Sequence, residues 1–289
     1  MSEHTGNTNP DGKTEPLRGR VAIVTGASAG IGAAVAKDLA ACGASVVVNA
    51  RRGDRIEQMG EALNRMLGED RVATAPGDAA DGHTIDRMLS IARERFGEPD
   101  LVVVNAGRGL GGSVLTSDEA QWEDLTRINF LGAARLIRAV GRAMGEAADA
   151  EKSAWDQAAA DRLEGRPLDP NALKARDIVV IGSTVGRHIS PFSSLYGSTK
   201  FAVNALAEAA RRELGPRGVR VTLIEPAIVV SEFQGIAGYD PAGFGELMRR
   251  VGPVLLPEDI AAAITHAVSL PAWIHLNDLV VRGTRQDYP

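Results

Sequence analysis

Val21-Ala22-Ile23-Val24-Thr25-Gly26-Ala27-Ser28-Ala29-Gly30-Ile31-Gly32 is the stretch on which the reading of this chain turns. Four apolar residues in a row, three of them β-branched, predict a buried strand. The strand runs straight into a glycine-rich turn, and apolar Ala33, Ala34, Val35, Leu39 and Ala40 predict a helix directly after it. Glycines after a strand and at a helix start let the backbone approach a pyrophosphate, whose charge the helix N-terminus favours. The spacing is G-x-x-x-G-x-G rather than G-x-G-x-x-G, and taken alone it is equally a tight turn.

Apolar runs of the same kind recur at 45–49, 71–75, 101–104, 178–181, 219–224 and 278–282, with helical patterns between them. Strands alternating with helices predict an α/β fold, a doubly wound parallel sheet of about seven strands with helices on both faces. Residues 1–18 are polar and aperiodic and read as a disordered tail, leaving 19–289 as one domain. Two segments stand out within it. Residues 145–176 are rich in Ala, Asp and Arg without a strand signal and read as an insertion. Residues 231–256 are rich in glycine, as a mobile substrate lid would be.

Composition narrows the function classes. The 289 residues are 44% hydrophobic, with 32 basic against 37 acidic side chains and a net charge of −5. Basic pairs such as Arg51-Arg52 and Arg211-Arg212 are isolated, so no nucleic-acid partner is expected. The single cysteine, Cys42, excludes an internal disulfide and suits a reducing compartment. No apolar run reaches membrane-spanning length. A soluble, cytoplasmic, metal-free protein is the expectation.

The chemistry-bearing block is 183–200. Ser183 follows the 178–181 run; Pro191 suits the first turn of a helix through Phe201, Val203, Leu206, Ala210 and Leu214, which stops at Gly215-Pro216. Tyr196 and Lys200, four apart, share a face of that helix. A strand-end hydroxyl, a phenol and an ammonium then converge: the phenol can protonate a carbonyl, the serine can hold its oxygen, and the ammonium can favour phenolate. A bare Tyr-x-x-x-Lys is far more often an amphipathic helix beside a solvated lysine, so the remaining motifs decide. Asn105-Ala106-Gly107 follows the 101–104 run, Thr116 and Glu119 have capping-box spacing, and Asn129 sits among apolar residues of the next helix. After the second strand, where an acid would bind ribose hydroxyls, stand Arg51 and Arg52, which suit a 2′-phosphate or are simply solvated. Asp78 can meet an adenine amino group, while Asp81 can cap a helix.

With these pieces in order, the chain resembles the short-chain dehydrogenase/reductase family over nearly all of residues 19–289. The match is Thr25-Gly26-x-x-x-Gly30-x-Gly32, Asn105-Ala106-Gly107, Asn129, Ser183, Tyr196 and Lys200; the chain's end, with Leu270-Pro271-Ala272 and 285–289, looks most like the NADP-dependent 3-hydroxy acid dehydrogenase and carbonyl reductase branch. The resemblance implies a Rossmann sheet, NADP(H) rather than NAD(H), hydride transfer to or from a carbonyl or alcohol, and a homodimer or homotetramer. It implies catalytic roles for Asn129, Ser183, Tyr196 and Lys200. Cofactor contacts would come from Gly26, Ser28, Gly30, Ile31, Gly32, Arg51, Arg52, Asp78, Ala79, Asn105, Ala106, Gly107, Tyr196, Lys200, Pro226, Val229 and Ser231. Ala227 replaces the glycine that often follows Pro226, and Ser231 a common threonine. Arg108, Leu110, His188, Phe192 and Phe233 flank the catalytic positions as candidate substrate contacts, with Arg108 a candidate anchor for a substrate carboxylate. The alternative is a silent NADP(H)-binding sensor or assembly protein, which would have no need of the intact proton relay.

Overall fold

The structure, a computed structural model, describes residues 15–188 and 190–287. The apolar runs form strands β1 (Val21–Thr25), β2 (Ser45–Ala50), β3 (Val72–Pro76), β4 (Leu101–Val104), β5 (Asp177–Ile181), β6 (Arg220–Pro226) and β7 (Asp278–Val281). All neighbours pair in parallel, in the order β3-β2-β1-β4-β5-β6-β7. The direction of winding therefore reverses between β1 and β4, which opens a crevice beyond their carboxyl ends.

The helices are α1 (Gly30–Ala41), α2 (Gly53–Leu67), α3 (Gly82–Arg95), α4 (Trp122–Thr126), α5 (Ala133–Asp149), α6 (Lys152–Leu163), α7 (Ser194–Leu214), α8 (Phe233–Ile236), α9 (Pro241–Val251) and α10 (Pro257–Ser269). Alternate strand residues feed two cores, because successive side chains in a strand point to opposite faces. Val24, Val46 and Val48 pack with Val35 and Leu39 of α1 and with Ile260 and Ile264 of α10. Ile23, Val102 and Val180 pack with Met88, Leu136 and Val203 of α3, α5 and α7. This is the expected doubly wound Rossmann sheet, with seven strands.

The structure corrects several local expectations. α7 begins at Ser194, so Pro191 stands outside it; the preceding loop is tied instead to Gly112, whose amide donates to the Phe192 carbonyl at 2.8 Å. Asp118, not Thr116, caps the turn before α4, accepting from the Ala120 amide at 3.1 Å. Of the expected tail, residues 1–14 lie outside the described residues, as do Tyr288 and Pro289 at the other end. Residues 15–18 are packed, not loose: Leu17 is only 1% exposed and Glu15 pairs with Arg71 at 3.0 Å. Apolar Leu17 and a buried counter-charge for Arg71 outweigh the polar residues around them.

The insertion is also shorter than composition suggested. Its first residues complete α5, with Ala148 buried in the core. Next in the chain comes α6, whose Ala158 packs with Leu173 and Ala272 between Trp155 and Trp273. The indole edge of Trp155 lies against Gly218, where a Cβ would come within 2.8 Å of it. Gly218 stands just ahead of β6, so α6 sits at the amino ends of the strands.

A charged girdle occupies that same end. Arg20 donates to Asp100 and to Asp177, each at 2.7 Å. Arg220 donates twice to Asp177, at 2.7 and 2.9 Å, and closes the carbonyls of Leu270, Pro271 and Ile274 beyond α10. Each residue stands at the start of a different central strand.

Candidate active site

At the opposite, carboxyl ends of the strands, Thr25 joins β1 to β4. Its hydroxyl donates to the Val103 carbonyl and accepts from the amides of Asn105 and Ala106 at 3.0 and 3.1 Å. The Asn105 amide group returns to the Thr25 carbonyl at 2.8 Å. Asn105-Ala106-Gly107 is thereby clamped against the glycine turn: a Cβ at Gly26 would fall 2.8 Å from Asn105 Nδ2 and 2.9 Å from Ala106 Cα. Gly26 and Gly30 have φ of +67° and +56°, which glycine adopts without strain. Beyond the turn α1 opens with Ala29 at its cap, no side chain closing its amides and no acid in its first turn. Free amides and an uncompensated helix dipole make this turn an anion-binding one.

At the end of β2, Asn49 is fully buried and donates to the Ala75 carbonyl at 2.8 Å. The two arginines after it differ. Arg51 is exposed, whereas Arg52 donates to the Ser28 hydroxyl at 3.1 and 2.9 Å and pairs with Glu232 at 2.8 Å. Asp78 is paired with Arg127 at 2.8 Å, next to Ala79 at the end of β3. Ile31 packs on the core, and Val229 is buried below Ser231.

Ser183, Tyr196 and Lys200 come together as the sequence spacing suggests, and all three are buried. Lys200 Nζ donates to the Ile181 carbonyl at 2.7 Å and lies 5.9 Å from the centre of the Tyr196 ring. Ser183 Oγ lies 3.4 Å from the carbonyl of Pro226. Burial, with no carboxylate at hand, lowers the Lys200 ammonium to about 8. Burial also pushes the Tyr196 phenol upward, Tyr239 adds to the rise, and a hydrogen bond from Ser183 works against it. In the protein alone, burial of the phenol thus opposes the phenolate that a neighbouring ammonium favours.

Asn129 lies in a π-helical segment, Arg127–Gly132, between α4 and α5. The wider turn carries its side chain to the backbone of Arg108, to which it donates and from which it accepts at 2.9 Å, and to the Thr199 hydroxyl at 3.0 Å. Thr199 in turn donates to the Tyr196 carbonyl at 2.7 Å. The amide therefore ties the loop after Gly107 to the helix that carries Tyr196.

Among the substrate candidates, Leu110 is buried and Phe233 lies over the reactive phenol, its ring centre 5.4 Å from that of Tyr196. His188 is exposed and Phe192 is 76% exposed, so neither walls the site. The Arg108 guanidinium is bound to Gln121 and to Asp124, the latter at 3.2 Å. Gln121 and Asp124, which also pairs with Arg127, hold two of its donors, while its buried Nε has no partner among the described residues. Sequence reasoning misses Tyr239, Arg55 and Glu232. Tyr239 continues an aromatic row from Phe233, at 6.4 Å, to Phe244, at 6.3 Å. It is hard to find in sequence because nothing periodic marks a short lid helix.

A glycine turn at the switch point and a serine, phenol and ammonium beyond the strand ends define a Rossmann-type enzyme site. The family model for short chain dehydrogenases matches residues 20–151 and 172–238, and this chain belongs to that family. The gap in the match coincides with α6 and the loop after it. An uncharacterized oxidoreductase of Staphylococcus aureus is 26% identical over 266 residues, covering 92% of this chain and 98% of its own. A closed serine dehydrogenase complexed with NADP+ is 27% identical with a TM-score of 0.76, over 93% of this chain and 96% of that one. An alcohol dehydrogenase of the archaeon Thermococcus sibiricus, complexed with 5-hydroxy-NADP, is 25% identical with a TM-score of 0.74, over 93% and 99%. The chain is an oxidoreductase of the short-chain dehydrogenase type.

Proposed function

We propose that the protein interconverts a carbonyl and a secondary alcohol, with NADP(H) as the hydride carrier. The observation that carries this reading is the convergence of Ser183, Tyr196 and Lys200 beside the uncapped amides of α1. A bound nicotinamide supplies or accepts the hydride. The chain does the rest. Tyr196 gives its hydroxyl proton to the carbonyl oxygen in reduction and takes it back in oxidation. Burial favours the protonated phenol, the form that reduction requires. Ser183 Oγ holds the substrate oxygen as charge develops on it. Asn129 and Thr199 hold the helix turn that carries the phenol, and Phe233 shields it from water.

NADP(H) is favoured over NAD(H) by Arg52 after β2, where an acid would otherwise meet ribose hydroxyls, and by its partner Ser28 in the glycine turn. Two structurally similar enzymes were solved with NADP-type cofactors, which supports the same reading. With Arg108 engaged by Asp124 and the lid contributing Phe233 and Tyr239, the wall favours a modest-sized substrate with an apolar or aromatic substituent. A sensor that never turned over would need no buried ammonium beside a shielded phenol.

The test is NADPH consumption against matched ketones with and without a carboxylate. Turnover with the neutral members and its loss in Tyr196→Phe, by about a hundredfold or more, with NADPH binding retained, is the expected result. Near-normal turnover in Tyr196→Phe would overturn the mechanism.

A further inference from the structure

Glu232 fastens the base of the lid to the residues a 2′-phosphate would need. Its two carboxylate oxygens take one guanidinium each, Arg52 and Arg55, both at 2.8 Å. The other donors of Arg52, Nε and Nη2, converge on Ser28 of the glycine turn. Ser231, the neighbour of Glu232, lies over the same turn, with its Cβ 3.4 Å from where a Cβ at Gly30 would be. Two arginines directed at one anion, one of them braced by the Ser28 hydroxyl, form an anion-binding cluster, and here the anion is the chain's own carboxylate, 180 residues from Arg52. The side chains of Arg52, Arg55 and Glu232 are 41%, 51% and 48% exposed. Such pairs are screened by water and easily exchanged.

We propose that Glu232 is a latch occupying the 2′-phosphate subsite, so that it disfavours NADP(H) until the phosphate displaces it and frees the lid base. The proposal rests on the NADP(H) reading above. A phosphate outcompetes a carboxylate for paired guanidinium groups because it carries more charge and more acceptor oxygens. NAD(H) has only a ribose hydroxyl there and leaves the ion pairs in place. Cofactor identity would then be sensed at the base of the lid, where Glu232 meets the adenosine-ribose contacts. The apparent affinity for NADP(H) is lowered by the fraction of molecules in which the latch is closed, and removing the latch removes that penalty.

Equilibrium binding separates the alternatives. NADPH and NADH are titrated by fluorescence, and 2′,5′-ADP and 5′-AMP by calorimetry, into the wild-type protein and Glu232→Gln. The expected result is that Glu232→Gln binds NADPH and 2′,5′-ADP at least about threefold more tightly, a magnitude within reach of two exposed ion pairs. NADH and 5′-AMP affinities stay unchanged, which also shows that the variant is folded. If all four ligands shift together, if none shifts, or if the two 2′-phosphate ligands weaken, the latch is wrong while the cofactor assignment stands. A wild-type protein that binds NADH as tightly as NADPH, with NADPH binding indifferent to Arg52→Ala, overturns the cofactor assignment itself.

Discussion

Lys200 is charged, buried and bonded to a backbone carbonyl without a carboxylate partner. Its ammonium is lowered from 10.5 to about 8, so the folded state disfavours the charged form. Below pH 8 both folded and unfolded chains are protonated and the destabilisation is complete, on the order of 3 kcal/mol for such a shift. Between pH 8 and 10.5 the folded protein loses the proton first, and the destabilisation is relieved. The difference in unfolding free energy between Lys200→Met and the wild type should therefore move in the wild type's favour as pH rises from 7 to 10. Urea unfolding at the two pH values measures it, and the hydrogen bond lost to Ile181 enters both as a constant offset. A difference independent of pH would mean that Lys200 keeps an ordinary pKa. Spacing alone identified Tyr196 and Lys200 as neighbours on α7, but not the direction of either titration. That depends on how much water the lid and β5 exclude, which no local pattern records. The same is true of Arg108: a loop arginine gives no hint in sequence that Asp124, on a later helix, pairs with it.

At the scale of the element, α6 was the least legible part of the chain. Its alanines are spread around the whole helix and only Ala158 is buried, so no apolar stripe announces it. The strands were legible because a parallel sheet buries both faces and demands unbroken β-branched runs. The π-helical turn at Asn129 was invisible for a different reason: the residues on either side keep ordinary helical character, and only the amide's position betrays the wider turn. α6 packs at the amino ends of the strands, away from Tyr196, and its neighbour Glu151 holds Arg176 through two bonds of 2.7 and 2.9 Å. Replacing residues 152–171 by a short flexible linker, keeping Glu151 and Arg176, should leave KM within about twofold because no active-site contact is touched. Steady-state kinetics decide it; a large rise in KM would place the segment in the substrate path.

For the molecule as a whole, the ends of the sheet have divided labour. The carboxyl ends carry uncapped amides and buried reactive groups, while the amino ends carry the girdle of Arg20, Asp100, Asp177 and Arg220. Asp177, with a side chain 2% exposed, receives both arginines. Asp177→Asn leaves two buried guanidinium groups without their shared charge and should lower the unfolding free energy by about 3 kcal/mol. Urea denaturation reports the loss, and kcat per folded molecule should not change, since the reactive groups lie at the other end of the strands. The girdle also joins partners 80, 157 and 43 residues apart, so it closes only once β1, β4, β5 and β6 are all seated. We predict that such a contact is absent from the folding transition state, so that its removal acts on the unfolding limb. In stopped-flow experiments Asp177→Asn should refold at nearly the wild-type rate and unfold roughly a hundredfold faster. What four charges at the quiet end of the sheet govern is how long a finished molecule survives, not how quickly it is made.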